Sequence, residues 1–404
     1  MMITRHRRSV QAALGAALLF AACDGGPGST PGVPEDASSF DARDSDGQAD
    51  DLIVRSPPLA TPFIVTEGDA LRPVREGDRL ALLTVDSGGT LCLANPWMGE
   101  CIVRVRVVGL PDATPLFSSE DANAGSVPGL SEGTLFWTAE DGRLRLHRPG
   151  GLGVESPLAD DPDLYGIQGP VVVQDRGVFW YASSYTTGSQ AFRRWDLDSG
   201  ALLQVTAAQH DWPWFLSDLG APPLPQFDVE GQRIVWVHYQ PYGNGQQYRI
   251  LLHEPGAVAP EVLPTGDVSC LWPRLRAPWV YYVWFQQDHW QCTQLQCIFH
   301  VARVHLETGA VEQLDDPGAR VTGLYPPIPW SGGVAWLDFR EGPYQVVVRP
   351  EGMDPSVAAP GSPPVGLYTG VTLTDREEGG LELLWSALHE DHLQVFRATW
   401  PLEP

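Results

Sequence analysis

Positive charge is scarce in this sequence. Lysine is absent, and 26 arginines face 50 acidic side chains, for a formal charge of −24 at pH 7 and a pI of about 4.6. A chain so short of cations is a poor fit for nucleic acid, whose affinity rests on neutralising phosphates. Charge-driven adsorption to anionic lipid is disfavoured for the same reason. Apolar length is also limited. The run Val10 to Phe20 has about a dozen residues, where a membrane helix needs ~20. The six cysteines include no pair at the C-x-x-C spacing of a zinc knuckle. Glycine and proline, by contrast, are abundant at 42 and 37 of 404 residues, which favours many turns and short strands over long helices. An apolar fraction of 43% with 10% aromatics suffices to bury large cores and excludes wholesale disorder.

Arg5, Arg7 and Arg8 precede the apolar run, which ends in Leu18-Leu19-Phe20-Ala21-Ala22-Cys23. A cationic segment, an apolar segment and then small residues is the order of an export signal. Small residues directly before Cys23 resemble the bacterial lipoprotein box. The resemblance implies that the Cys23 thiol is lipidated and becomes the first residue of a membrane-anchored envelope protein, on the periplasmic or the surface side. Plain secretion with cleavage after Ala22 is the alternative. From Asp24 to Pro58 the chain is rich in Gly, Pro, Ser and Asp, a composition expected for an extended, solvated tether. Asp44-Ser45-Asp46-Gly47 lacks the other ligands of a calcium loop. The expected division is residues 1–22 as signal peptide, 23–58 as lipidated cysteine and tether, and 59–404 as a folded ring.

Beyond the tether one unit repeats. Strands ending near an aromatic anchor recur as GTLFWT around Trp137, GVFWYA around Trp180, RIVWVH around Trp236, VYYVWF around Trp284, GVAWLD around Trp336 and LELLWS around Trp385. GTLCLA around Leu93 is a seventh copy, with Leu83 the alternative anchor for the first unit. Intervals of about fifty residues point to a repeat architecture, and the β-branched and aromatic content makes the unit a strand. Each anchor strand follows a short apolar segment and a turn, and precedes a polar loop, a further strand and a hairpin such as Asp198-Ser199-Gly200. Four antiparallel strands per unit make a β-propeller blade. The sequence thus predicts an all-β, seven-bladed propeller. The last unit lacks an outer strand, and Thr61–Thr66 is expected to pair with Leu393–Thr399 and close the ring, which removes two sheet edges. The Trp anchors are expected to fill the gaps between blades.

The pattern of aromatic–x–Pro, turn, apolar–Trp strand, polar loop and D-L-x-[ST]-G hairpin, best seen in Trp195-Asp196-Leu197-Asp198-Ser199-Gly200, resembles TolB-type propellers. Asp228-Val229-Glu230-Gly231 stands where that family carries Ser-Pro-Asp-Gly. The resemblance implies the fold and a periplasmic or surface setting, and does not supply a partner.

Chemistry-bearing residues are sparse. Cys92 with Cys101 and Cys292 with Cys297 each flank a short loop, so an oxidising compartment would allow two disulfides, with Cys270 left over or competing for Cys292. Asp86-Ser87-Gly88-Gly89 lacks the context of a nucleophile loop, and His389-Glu390-Asp391-His392 reads as a solvated hairpin tip. No catalytic residue, metal or cofactor is assigned.

The stronger hint is a face. In a propeller the inter-blade loops and the loops after each anchor strand open on the same side. The first set carries Leu164-Tyr165, Leu271-Trp272, Leu324-Tyr325 and Leu367-Tyr368, together with His210, Trp212 and Trp214. The second carries His238, Tyr242, His289, Trp290, Asp338, Arg340 and His389. Aromatic rims with a few polar groups suit a protein, peptide or glycan partner. The competing reading is that the Leu-aromatic pairs simply seal blade junctions. The expected function is a non-enzymatic, lipid-anchored, monomeric binding propeller with no nucleic-acid partner. A metal-assisted polysaccharide lyase or hydrolase at the channel mouth is the alternative.

Overall fold

The structure is a computed structural model that describes residues 62–400 except 65–68, 87–101, 124–126, 152, 157–171, 175, 184–189, 208–225, 243–244, 287–297, 340–343, 359–363, 366–370, 376–380 and 390–391. The chain divides into two units, Met1–Val54 and Arg55–Pro404, and the described residues belong to the second.

These residues form seven antiparallel sheets and no helix. Blade one is β1 (Asp69–Glu76), β2 (Arg79–Asp86), β3 (Ile102–Gly109) and β4 (Thr114–Ser119). Blade two is β5 (Gly129–Ser131), β6 (Thr134–Thr138) and β7 (Leu144–His147), with Glu155 bridged to Leu146 at its outer edge. Blade three holds β8 (Val172–Gln174), β9 (Gly177–Ser183), β10 (Gln190–Asp196) and β11 (Leu202–Ala207). Blade four holds β12 (Phe227–Glu230), β13 (Arg233–Tyr242), β14 (Gly245–His253) and β15 (Glu261–Val262). Blade five is β16 (Ser269–Arg276), β17 (Trp279–Phe285), β18 (His300–His305) and β19 (Val311–Gln313). Blade six is β20 (Ile328–Trp330), β21 (Gly333–Asp338), β22 (Gln345–Pro350) and β23 (Ser356–Val357). Blade seven is β24 (Val371–Asp375), β25 (Leu381–His389) and β26 (His392–Trp400).

The first strands of successive blades touch in turn, from β1 through β5, β8, β12, β16, β20 and β24, and β24 returns to β1. That cycle is a seven-bladed propeller, as the repeat predicts. The predicted closure is present as well. Phe63 and Ile64 donate their backbone N–H groups to the Val395 carbonyl at 2.8 and 3.1 Å, and Val395 N–H donates back to Ile64 at 3.2 Å. Ile64 is 2% exposed and packs with Leu80, Leu82, Leu384 and Val395, so the N-terminal segment joins blades one and seven.

The blades cohere through apolar contacts between their faces. Trp137, Trp180, Trp236, Trp336 and Trp385 are buried. Trp236 of blade four lies 5.2 Å from Phe192 of blade three, in a cluster that also holds Phe179 and Phe227. Tilted aromatic packing of this kind adds to the burial gain. Hydrogen bonds between hairpin turns supplement it. The Glu76 carboxylate accepts from Glu132 and Gly133 N–H groups at 2.7 and 2.6 Å, and Glu230 accepts from Ala277 N–H at 2.9 Å. In both cases the first turn of one blade holds the first turn of the next.

Two details of the sequence reading change. The anchor strand of blade one is β2, which contains Leu83, and not Gly89–Ala94, which lies outside the described residues. The reason is local: Gly77, at φ 57°, makes a tight turn that pairs β1 with β2 directly. In the anchor strand of blade five the fully buried rings are Tyr282 and Phe285, whereas Trp284 is only partly buried and stacks on His300 with centroids 4.4 Å apart.

Candidate functional site

The inter-blade segments meet the ends of the second strands. Val321 bridges both Phe299 and Asp338, and Asn123 N–H donates to the Thr138 carbonyl at 2.9 Å. The two loop sets of the predicted face therefore lie at the same end of these blades. Acidic side chains fasten that end. Asp69 accepts from Leu393 N–H at 2.8 Å, linking blade one to blade seven. The Asp121 carboxylate takes the Trp137 indole N–H at 3.0 Å. Asp315 accepts from Val301 N–H at 2.9 Å while its other oxygen lies 2.8 Å from His300 Nδ1.

The predicted site residues divide into several groups. Trp272 is fully buried: its indole N–H donates to the Gly323 carbonyl at 2.7 Å and its backbone N–H donates to Gln226 Oε1 at 2.7 Å. Tyr325 is buried too. Their burial is compatible with the junction-sealing reading, in which a large ring fills the wedge between radiating sheets. Asp338 is also buried and accepts from Arg320 N–H at 3.3 Å, which makes it a fastener of the inter-blade segment. His238 is half-buried on β13 opposite Arg249, and His389 is exposed at the end of β25 opposite His392. Tyr242 ends β13, but its side chain lies outside the description. Tyr165, His210, Trp212, Trp214, His289, Trp290, Arg340 and Tyr368 lie outside the described residues, as do Cys23, Cys92, Cys101, Cys292 and Cys297. Cys270 is a buried free thiol, and desolvation pushes its pKa up to about 12.

Among the described residues, a cavity that the sequence reading does not anticipate lies between the first strands of four blades. It measures about 250 Å³ and is walled by β1, β16, β20 and β24, reaching between blades six and seven to Ala335, Trp336, Leu337 and Val346. A Leu-X-Pro unit recurs in the first strands or the segments before them, as Leu71-Arg72-Pro73 in blade one, Leu271-Trp272-Pro273 in blade five and Leu324-Tyr325-Pro326 in blade six, and those of blades one and six line the cavity. In β1 and β16 the X residue sits in a bulge with positive φ, 50° at Arg72 and 54° at Trp272, where the register shifts between Leu71 and Val74 and between Leu271 and Arg274. Proline brings no N–H to the ladder and accommodates that interruption. The X side chains Arg72 and Tyr325 line the cavity, together with Arg274, which follows the proline in blade five.

Burial draws the Arg72 pKa down to about 10, with Tyr325 opposing the shift. Arg274 is lowered by burial with Asp228 opposing, and it donates to the Pro273 carbonyl at 2.7 Å. Asp228 is raised by burial, with Arg274 opposing, and accepts from Leu275 N–H at 2.8 Å. The recurring inter-blade pair read from the sequence is Leu-aromatic, a pattern that leaves out Leu71-Arg72. The signal available was the same Leu-X-Pro unit with a cation at X.

No family model and no curated protein matches this chain. Among solved structures it is similar to the β-propeller domain of the Trilobed protease from Pyrococcus furiosus, at 13% identity and a TM-score of 0.55, covering 83% of this chain and 96% of that one. That domain is described as having an open velcro topology, whereas here Ile64 bridges Val395 of the last blade. The chain is also similar to the acylaminoacyl peptidase of Pyrococcus horikoshii, at 12% identity and a TM-score of 0.51, covering 82% of this chain and 51% of that one. A puromycin-hydrolyzing peptidase of Mycobacterium tuberculosis gives 16%, 0.50, 85% and 53% for the same quantities. The chain thus spans about half the length of each of these two peptidases. TolB from Acinetobacter baumannii is among the similar structures at a TM-score of 0.39, too loose a likeness to argue from. Together these define a propeller by fold. They assign no activity.

Proposed function

We propose that this protein is a non-catalytic binding propeller of the bacterial cell envelope, anchored through a lipid on Cys23 and receiving a protein, peptide or glycan on the face where inter-blade and post-anchor loops converge. The observation that carries the reading is that convergence, seen where Val321 bridges Asp338 and where Asn123 meets Thr138. Loops held at one end of a rigid ring present side chains without cost to the core, which is where binding residues gather. His389 is exposed at this end, and the Trp212 and Trp290 loops belong to it by sequence.

Two measurements test the proposal. A glycan array and an envelope-extract pull-down are run with wild type and with Trp212→Ala and Trp290→Ala. Loss of an aromatic anchor is expected to weaken capture at least about tenfold, and undiminished capture by both variants overturns the choice of face. For the anchor, Cys23→Ser is expected to move the protein from the membrane to the soluble fraction. Retention in the membrane fraction overturns lipidation.

A further inference from the structure

Acidic side chains outnumber arginines in this chain, and several arginines of the ring sit beside one: Arg75 with Glu382, Arg104 with Glu120, Arg176 with Glu132, and Arg303 with Glu312 and Glu351. Arg106 differs. It is half-buried on β3, its Nε is shut off from solvent, and it has no ion pair or hydrogen bond among the described residues. Thr84 on β2 is in the same condition: it is fully buried, and its hydroxyl has no hydrogen-bond partner among the described residues. A buried polar group left without a partner is destabilising.

The register puts both groups on one face. Val103, Val105 and Val107 of β3 pack with Leu135 and Trp137 of blade two, so the alternate residues Arg104 and Arg106 lie on the other side of the sheet. Arg106 stands opposite Leu82, and Arg104 stands opposite Thr84. Leu82 packs with Ile64, Leu384 and Val395, which makes this the face that blade one turns to blade seven and the closing segment. Thr84 and Arg106 are thus diagonal neighbours, a relation that sets residues roughly 7–8 Å apart in an antiparallel sheet. One small ion taking a hydrogen bond from each side spans such a gap.

We propose that a small oxyanion is held at this seam, between the Arg106 guanidinium and the Thr84 hydroxyl. A water would satisfy the hydroxyl but would leave Arg106 beside Arg104, a like charge on the same face that donates to Glu120 at 3.0 and 2.8 Å. An anion offsets that repulsion, and a guanidinium fork binds oxyanions through paired hydrogen bonds. Bound there, it bridges β2 and β3 beside the segment that closes the ring, and by mass action it stabilises the closed form. The inference does not depend on the loop face, and either can fail without the other.

The test is calorimetric titration of the full-length protein, in a non-ionic detergent, with sodium sulfate and with sodium acetate at constant ionic strength. At least one of the two is expected to bind, and no binding of either overturns the proposal. Tighter binding of sulfate assigns the site to an inorganic oxyanion, and tighter binding of acetate assigns it to a carboxylate. Arg106→Gln is expected to lose at least about tenfold in affinity for the preferred ion, because a hydrogen bond to a charged group is lost. Thr84→Val keeps the buried volume, is expected to fold and loses about fivefold. Arg148→Gln, at an exposed site on blade two, is expected to bind as wild type does. Undiminished binding by folded Arg106→Gln, or an equal loss in Arg148→Gln, overturns the role of Arg106.

Discussion

Cys270 shows how a residue that looked chemically interesting in sequence becomes inert in the fold. Its thiol is fully buried among Val235, Val280, Tyr282 and Ala302, and desolvation lifts its pKa to about 12. The thiolate is the reactive form, so at about pH 8 the native thiol is expected to resist alkylation and to react once the chain is unfolded. Comparing wild type with Cys270→Ala by mass spectrometry after iodoacetamide checks this. The native labelling count is expected to match between the two, with one fewer label for the variant in denaturant. A native count that falls in the variant contradicts the burial. Trp272 and Tyr325 make the same point with a different outcome. As letters they fit a binding rim, and the fold uses them as seals. A propensity or motif argument cannot separate these roles, since both use a large ring.

At the scale of the element, the segment carrying Ile64 has the largest consequence for its size. It contributes one bridge and three backbone hydrogen bonds, yet it joins the last blade to the first. Ile64→Ala removes buried methyl groups at that seam, and large-to-small changes of this type cost about 2–5 kcal/mol. A denaturant melt is expected to show a loss in that range with the slope unchanged. A loss no larger than that of an exposed site, such as Leu388→Ala on β25, would mean that the ring holds without its closure. The outer strands show a complementary economy of length. β15 and β23 have two residues each and β19 has three, so little unpaired edge faces solvent in those blades. This closure was readable beforehand because Thr61–Thr66 was an apolar segment without a blade, and the last blade was short of a strand. The anchor of blade one was not, because Leu83 and Leu93 lie in equally plausible apolar segments and only the pairing of β1 with β2 distinguishes them.

For the whole molecule, charge and topology set the terms. Most of the chain's net charge of −24 falls within residues 59–404, and that excess repels itself within the ring and lowers stability at low ionic strength. Raising salt from about 10 mM to about 150 mM shortens the Debye length to roughly 8 Å, and the melting temperature is expected to rise by a few degrees. Exposed pairs such as Arg148–Glu155 weaken under the same change, but each is worth at most about 1 kcal/mol, so net repulsion governs the sign. A melting temperature that falls with salt would reverse that ranking. The sequence by itself determined the repeat, the blade number, the strand that closes the ring and the acidity of the surface, because these depend on order along the chain and on composition. Tertiary structure alone decided which aromatics are buried, that carboxylates such as Asp69 and Asp315 bind backbone N–H groups, and that Arg72 and Arg274 face one cavity. Those two arginines are about two hundred residues apart, and only the curvature of a closed ring brings such distant positions to a common axis.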